Sequence, residues 1–60
     1  MKEVKANYNM IFDNGSFQKD HVYKYRNRED FATYFVTTEE GKEQPFYETE
    51  LNMFFTILKN

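Results

Sequence analysis

The chain has 60 residues, with ten acidic and eight basic side chains for a formal net charge of −2, seven Phe, five Tyr and no cysteine. No disulfide framework and no thiolate metal site can exist, and so short a chain buries only about 60% of the surface its unfolded form exposes. The acidic balance argues against a general nucleic-acid binder, whose affinity rests largely on neutralising phosphates.

The opening segment, MKEVKANYNMIF, carries Lys2, Glu3 and Lys5 and lacks the apolar run of a signal peptide. No stretch reaches membrane-spanning length, so a cytoplasmic protein is expected. Val4, Ala6, Tyr8, Met10 and Phe12 alternate with Lys5, Asn7, Asn9 and Ile11, the period of a half-buried strand. Asn14-Gly15 follows, and it predicts a two-residue type I′ turn, which needs positive φ at both central residues. Beyond the turn, Phe17, His21, Tyr23 and Tyr25 continue the apolar side, with Lys24 and Arg26 on the other. The result is a hairpin over 3–26 in which partners sum to 29: Phe12 faces Phe17, Tyr8 faces His21, Ala6 faces Tyr23 and Val4 faces Tyr25.

The middle can be read in two ways. Thr33 to Thr38 form a β-branched and aromatic run, Glu40-Gly41-Lys42 suits a turn, and Pro45 suits a sheet edge. Together these predict a second hairpin within 31–48. The alternative is a helix over 28–39, with Asn27 and Asp30 at its start, Phe31, Tyr34 and Phe35 on one face, and Gly41 as its cap. In the tail, Leu51, Phe54, Phe55 and Leu58 have helical spacing, with Glu48 and Glu50 early and Lys59 late. Leu51, Met53, Phe55 and Ile57 also alternate as a strand would. A C-terminal helix is the expectation. The fold class is then α+β, a small antiparallel sheet with that helix in one domain, the alternative being a hairpin, a central helix and a third strand.

Catalytic chemistry has little to work with. Ser16 belongs to the turn, and His21 is expected beside Tyr8 on the apolar face, where histidines are usually structural. No nucleophile, base and orienting group come together, so no enzyme, cofactor or metal is expected. Two surfaces remain as binding candidates. Glu39, Glu40 and Glu43 make an acidic turn that can steer the chain to a basic surface, and Phe46 and Tyr47 beside them have the aromatic character of interface anchors. The bland readings are a solvated turn and ordinary core. Lys5, Lys24, Arg26 and Arg28 on the outer side of the first hairpin are the alternative, a nucleic-acid face. Against it, Tyr23 and Tyr25 point away from the cations, whereas a stacking platform needs both on one side. Twelve aromatic rings also exceed what sixty residues are expected to enclose, so a homodimer or a covering partner is expected.

In its brevity, lack of Cys, mild acidity and wealth of Asn, Lys, Phe, Tyr, Ile and Met, the chain resembles small phage-encoded inhibitors such as anti-CRISPRs and uracil-DNA glycosylase inhibitors. The resemblance is one of type and carries no motif. It implies a β-rich, often dimeric protein that blocks a host or antiviral-defence protein in the host cytoplasm. A purely structural, self-assembling subunit is the remaining alternative.

Overall fold

A computed structural model describes residues 2–28 and 32–59. Among them, seven strands and one helix follow in chain order: β1 (Glu3–Ala6), β2 (Met10–Phe12), β3 (Gly15–Phe17), β4 (Val22–Arg28), β5 (Thr33–Thr37), β6 (Glu43–Tyr47), α1 (Glu48–Phe54) and β7 (Phe55–Lys59). Five strands form one antiparallel sheet in the order β6-β5-β4-β1-β7, and β2 and β3 form a separate ribbon. The architecture is α+β and mostly β.

The first hairpin exists, but it is bent and its register differs from the expected one. Met10 pairs with Phe17 and Phe12 with Gly15 in the ribbon, while Val4 pairs with Tyr23 in the sheet. Partners therefore sum to 27, not 29. A shift of two residues keeps every side chain on its expected face, so the alternation that supported the first register supports the second equally. The loop residues are Asp13 and Asn14, and neither has positive φ, so the turn is not type I′. Gly15 instead opens β3 at φ 141°.

Between sheet and ribbon the strands break over three residues on one side, 7–9, and four on the other, 18–21. The Asn7 N–H turns away from the hairpin to donate to the Phe54 carbonyl at 2.9 Å. Asp20 takes the left-handed conformation (φ 71°), which Asp tolerates better than most residues. The Lys19 N–H is satisfied by Asn9 Oδ1 at 2.8 Å. The expected pairing of Tyr8 with His21 falls in this bend and is lost. Tyr8 and His21 are both exposed, so His21 is not a residue of the apolar face.

The bend lays the ribbon across one face of the sheet, which makes the core. Val4, Ala6, Tyr23, Tyr25, Val36, Phe46 and Phe55 from the sheet meet Phe17 from the ribbon and Leu51 from α1. Edge-to-face pairs join Phe17 to Tyr23 (4.9 Å) and Phe55 (5.1 Å), and Phe46 to Phe12 (5.1 Å) and Phe55 (5.3 Å). Such pairs contribute about 0.5–1.5 kcal/mol each beyond burial. Among the described Phe and Tyr residues only Tyr8 and Tyr47 are exposed. The supposed surplus of rings is absorbed by one copy of the chain, because the ribbon folds back on its own sheet. Phe31 lies outside the described residues.

The middle segment is the second hairpin, β5 with β6, and β5 occupies the span of the alternative helix. Asp30, expected at that helix's start, lies outside the described residues. The tail divides between the two expectations. Its helix ends at Phe54, and Phe55–Lys59 pairs antiparallel with β1. Glu50 accepts the Tyr47 N–H at 2.9 Å, which fixes the helix start. Phe55, Thr56 and Ile57 disfavour helix, and β1 presents an open edge that the strand satisfies. No helix of the described residues is long and apolar enough to cross a membrane.

Candidate functional site

The acidic turn is tied into the fold. The Thr38 N–H donates to the Lys42 carbonyl (2.7 Å) and the Gly41 N–H to the Thr38 carbonyl (2.9 Å), closing a tight loop between β5 and β6. The loop packs against β3, where the Glu39 N–H donates to the Ser16 carbonyl at 3.0 Å. Glu40 accepts the Ser16 N–H at 2.7 Å and the Ser16 hydroxyl at 2.8 Å. Glu39 Oε2 accepts the Tyr23 hydroxyl at 2.5 Å and lies 3.1 Å from His21 Nδ1. Glu43 holds Arg26 through two bonds, 2.7 Å from Nε and 2.9 Å from Nη2.

These donors lower the carboxyl pKa of all three acids. Tyr23 and then His21 act on Glu39, the Ser16 backbone and hydroxyl on Glu40, and Arg26 on Glu43. Arg26 is raised in turn, chiefly by its bonds to Glu43. Burial is the largest cause that pushes Tyr23 up to about 12, with the Glu39 carboxylate adding to it.

The other surface is the sheet face that neither ribbon nor helix covers. Strand alternation sends Lys5 of β1 and Val22, Lys24, Arg26 and Arg28 of β4 to this side. Register then sets residues of the second hairpin beside them. Arg26 faces Phe35, which faces Pro45, and Arg28 faces Thr33, which faces Tyr47. The Arg26 guanidinium lies over the Phe35 ring, 4.5 Å from its centroid, while Glu43 holds it from the side. Tyr47 is 67% exposed and Val22 51%. Thr33, Pro45, Phe46, Tyr47 and Glu50 line a shallow depression of about 200 Å³ at the β6 margin of this face.

The expected site residues thus divide. Phe46 points into the core at 3% exposure, so its ring is not an exposed anchor and it only contributes to the floor of that depression. Glu39 and Glu40 hold the second turn to β3. Glu43 and Tyr47 share the open face with all four cations of the alternative site, Lys5, Lys24, Arg26 and Arg28. Phe35, Pro45, Thr33 and Val22 belong to the same face and were not expected there. Their only sequence signal is parity along β4, β5 and β6, which becomes readable once both hairpins are in register. Among the described residues no group of three or more His, Asp or Glu could hold a metal ion. Comparison with protein-family models, curated proteins and solved structures finds no match.

Proposed function

We propose that the chain is a small non-catalytic inhibitor that binds a host or antiviral-defence protein through the open face of its five-stranded sheet. The observation that carries this reading is the Phe35–Arg26–Glu43 stack with exposed Tyr47 one row away. Protein interfaces concentrate aromatic and Arg side chains at their centres, and those held rigidly lose less entropy on binding. Arg26 is held on both sides before any partner arrives. The shallow depression beside Tyr47 gives a partner side chain a place to seat.

Charge and geometry favour a protein over a nucleic acid. Glu3 and Glu43 lie on the same face as the cations, and Glu43 engages Arg26 directly. Phe35, the ring best placed for a base to stack on, is already covered by a guanidinium. A surface with Lys5, Lys24 and Arg28 around an aromatic and proline centre fits a partner with an acidic rim and an apolar middle.

The test is affinity capture from a host lysate, in parallel with Tyr47→Ala and Arg26→Glu variants and an Ile11→Ser control on the ribbon. The reading requires one captured protein whose activity falls on binding, kept by the control and lost with both face variants. Capture unaffected by the face variants refutes the assignment. So does tight binding to single-stranded oligonucleotides that fades with salt and disappears in Arg26→Glu, which would make the face a nucleic-acid site.

A further inference from the structure

The two edges of the sheet differ. At β6 the edge contains Pro45, which lacks a donor and blunts strand addition. The β7 edge has no proline and displays apolar side chains, with Ile57 38% and Leu58 46% exposed. Its hydrogen-bonding direction follows from the ladder to β1. The Asn7 N–H donates to the Phe54 carbonyl, and Lys5 pairs with Thr56 two residues along. Alternation in an antiparallel pair then turns the Thr56 amide toward β1 and leaves the Ile57 N–H and C=O pointing outward. The Phe55 N–H is already taken by the Leu51 carbonyl of α1.

We infer that β7 is a self-pairing edge, which joins β7 of a second copy antiparallel about a two-fold axis at Ile57. Each Ile57 then exchanges both backbone bonds with its counterpart, the isologous arrangement that two-fold symmetry demands. Ile57 falls opposite the partner's Ile57, so these exposed apolar side chains cover one another, and Leu58 falls opposite the partner's Thr56. The two Lys59 side chains end up at opposite ends of the pair, roughly 13 Å apart at ~3.3 Å per residue, beyond the ~8–10 Å range of screened repulsion. A second copy satisfies this edge with groups already present. The β7 ladder is irregular where Glu3 meets Lys59 and Val4 meets Ile57, which leaves Leu58 unpaired against β1 and confines regular pairing to a short stretch. So small a contact makes a weak, concentration-dependent dimer rather than an obligate one. This inference concerns the edge and does not depend on the open face being a binding site.

Sedimentation equilibrium of the full chain, from low micromolar to near-millimolar concentration, should show the mass rising toward twice the monomer value. Ile57→Lys, which places like charges at the two-fold axis, and Ile57→Pro, which removes the outward donor, should abolish the rise. Amide hydrogen exchange on the unmodified chain decides the matter even if neither variant folds. The Ile57 amide should exchange quickly at low concentration and gain protection at high concentration, while Thr56 stays protected throughout. A chain that remains monomeric at every concentration overturns the inference. Dimers that persist in folded Ile57 variants, or an Ile57 amide indifferent to concentration, overturn it equally.

Discussion

Substituting Gly15 by Ala tests the join between the two hairpins. Gly15 sits at φ 141°, where a side chain is strained, at a typical cost of about 1–3 kcal/mol. A Cβ there would also fall 2.7 Å from Thr38 Cβ and closer still to Thr38 Oγ1 and Glu40 Oε1. Thr38 is only 4% exposed and has little room to retreat. Its hydroxyl donates to the Asn14 carbonyl and accepts from the Lys42 N–H, both at 3.2 Å. Disturbing those bonds adds about 0.5–1.5 kcal/mol each. The sum is roughly 2–6 kcal/mol, against about 3–9 kcal/mol of total stability for a chain of this length. At about 4–8 °C per kcal/mol for so small a domain, the melting temperature should fall on the order of 10–50 °C. Gly41→Ala is the control. Gly41 has φ 87°, and a methyl group added there would meet nothing within 4 Å, so it should lose only the backbone term of about 1–2 kcal/mol. Urea titration of both variants isolates the packing contribution as their difference. A difference below ~0.5 kcal/mol would refute the close approach of the Thr38–Lys42 turn to β3.

Phe46→Ala should cost about 3–5 kcal/mol, whereas Tyr47→Ala on the opposite face should stay within ~0.5 kcal/mol; denaturant midpoints compare the two directly. Glu39, Glu40 and Glu43 have lowered folded-state pKa values. Their stabilisation is therefore complete above the unfolded value near 4.5 and lost as pH falls through the folded values. Replacing all three with Gln should flatten the acid limb of a pH–stability curve. Tyr23 is raised from 10.0 to about 12. Between these values the unfolded chain has lost a proton that the folded chain keeps, so stability falls as pH rises. Tyr23→Phe should remove this alkaline loss, as thermal melts at stepped pH will report.

Much of the fold was legible in short-range pattern. Alternation in 3–26, and the β-branched run, Gly41 turn and Pro45 of the middle segment, located both hairpins. They assigned most strand residues of the first their face, but put His21 on the apolar side and did not separate buried Phe46 from exposed Tyr47. The register of the first hairpin was not legible, because pair sums of 27 and 29 bury the same residues. What selects between them is Gly15 against the Thr38–Lys42 turn, more than twenty positions away. The tail had two superposed periodicities, and each governs one half. Helix wins while Glu50 can cap the start and Leu51 can reach the core; strand wins once β1 offers its edge to Phe55–Lys59. The candidate face was half visible. Lys24, Arg26 and Arg28 follow one another along β4 and Lys5 joins them through the first hairpin, but Phe35 and Tyr47 reach them only through the second. Tyr23 and Tyr25 point away from the β4 cations as expected, and the rings that do join those cations arrive from β5 and β6.

The same geometry explains why acids that look like a docking surface in the sequence act differently in the fold. A sheet with a ribbon folded over one face needs something to hold the ribbon down, and a chain without cysteine cannot use a disulfide. Glu40 supplies that hold through its carboxylate on the Ser16 amide and hydroxyl, and Glu39 through its backbone N–H on the Ser16 carbonyl, while the Glu39 carboxylate bonds Tyr23 of β4. Residues that fasten the turn are poorly suited to a partner, since binding would first have to break the bonds that order them. The open face carries no such duty. Tyr47, Val22, Pro45 and Lys24 can all change without disturbing the core, and the Arg26–Glu43 pair lies on backbone already fixed by its ladder. On the proposed reading, recognition falls on the side of the sheet opposite the core, so variants of the open face test binding while the fold stays intact.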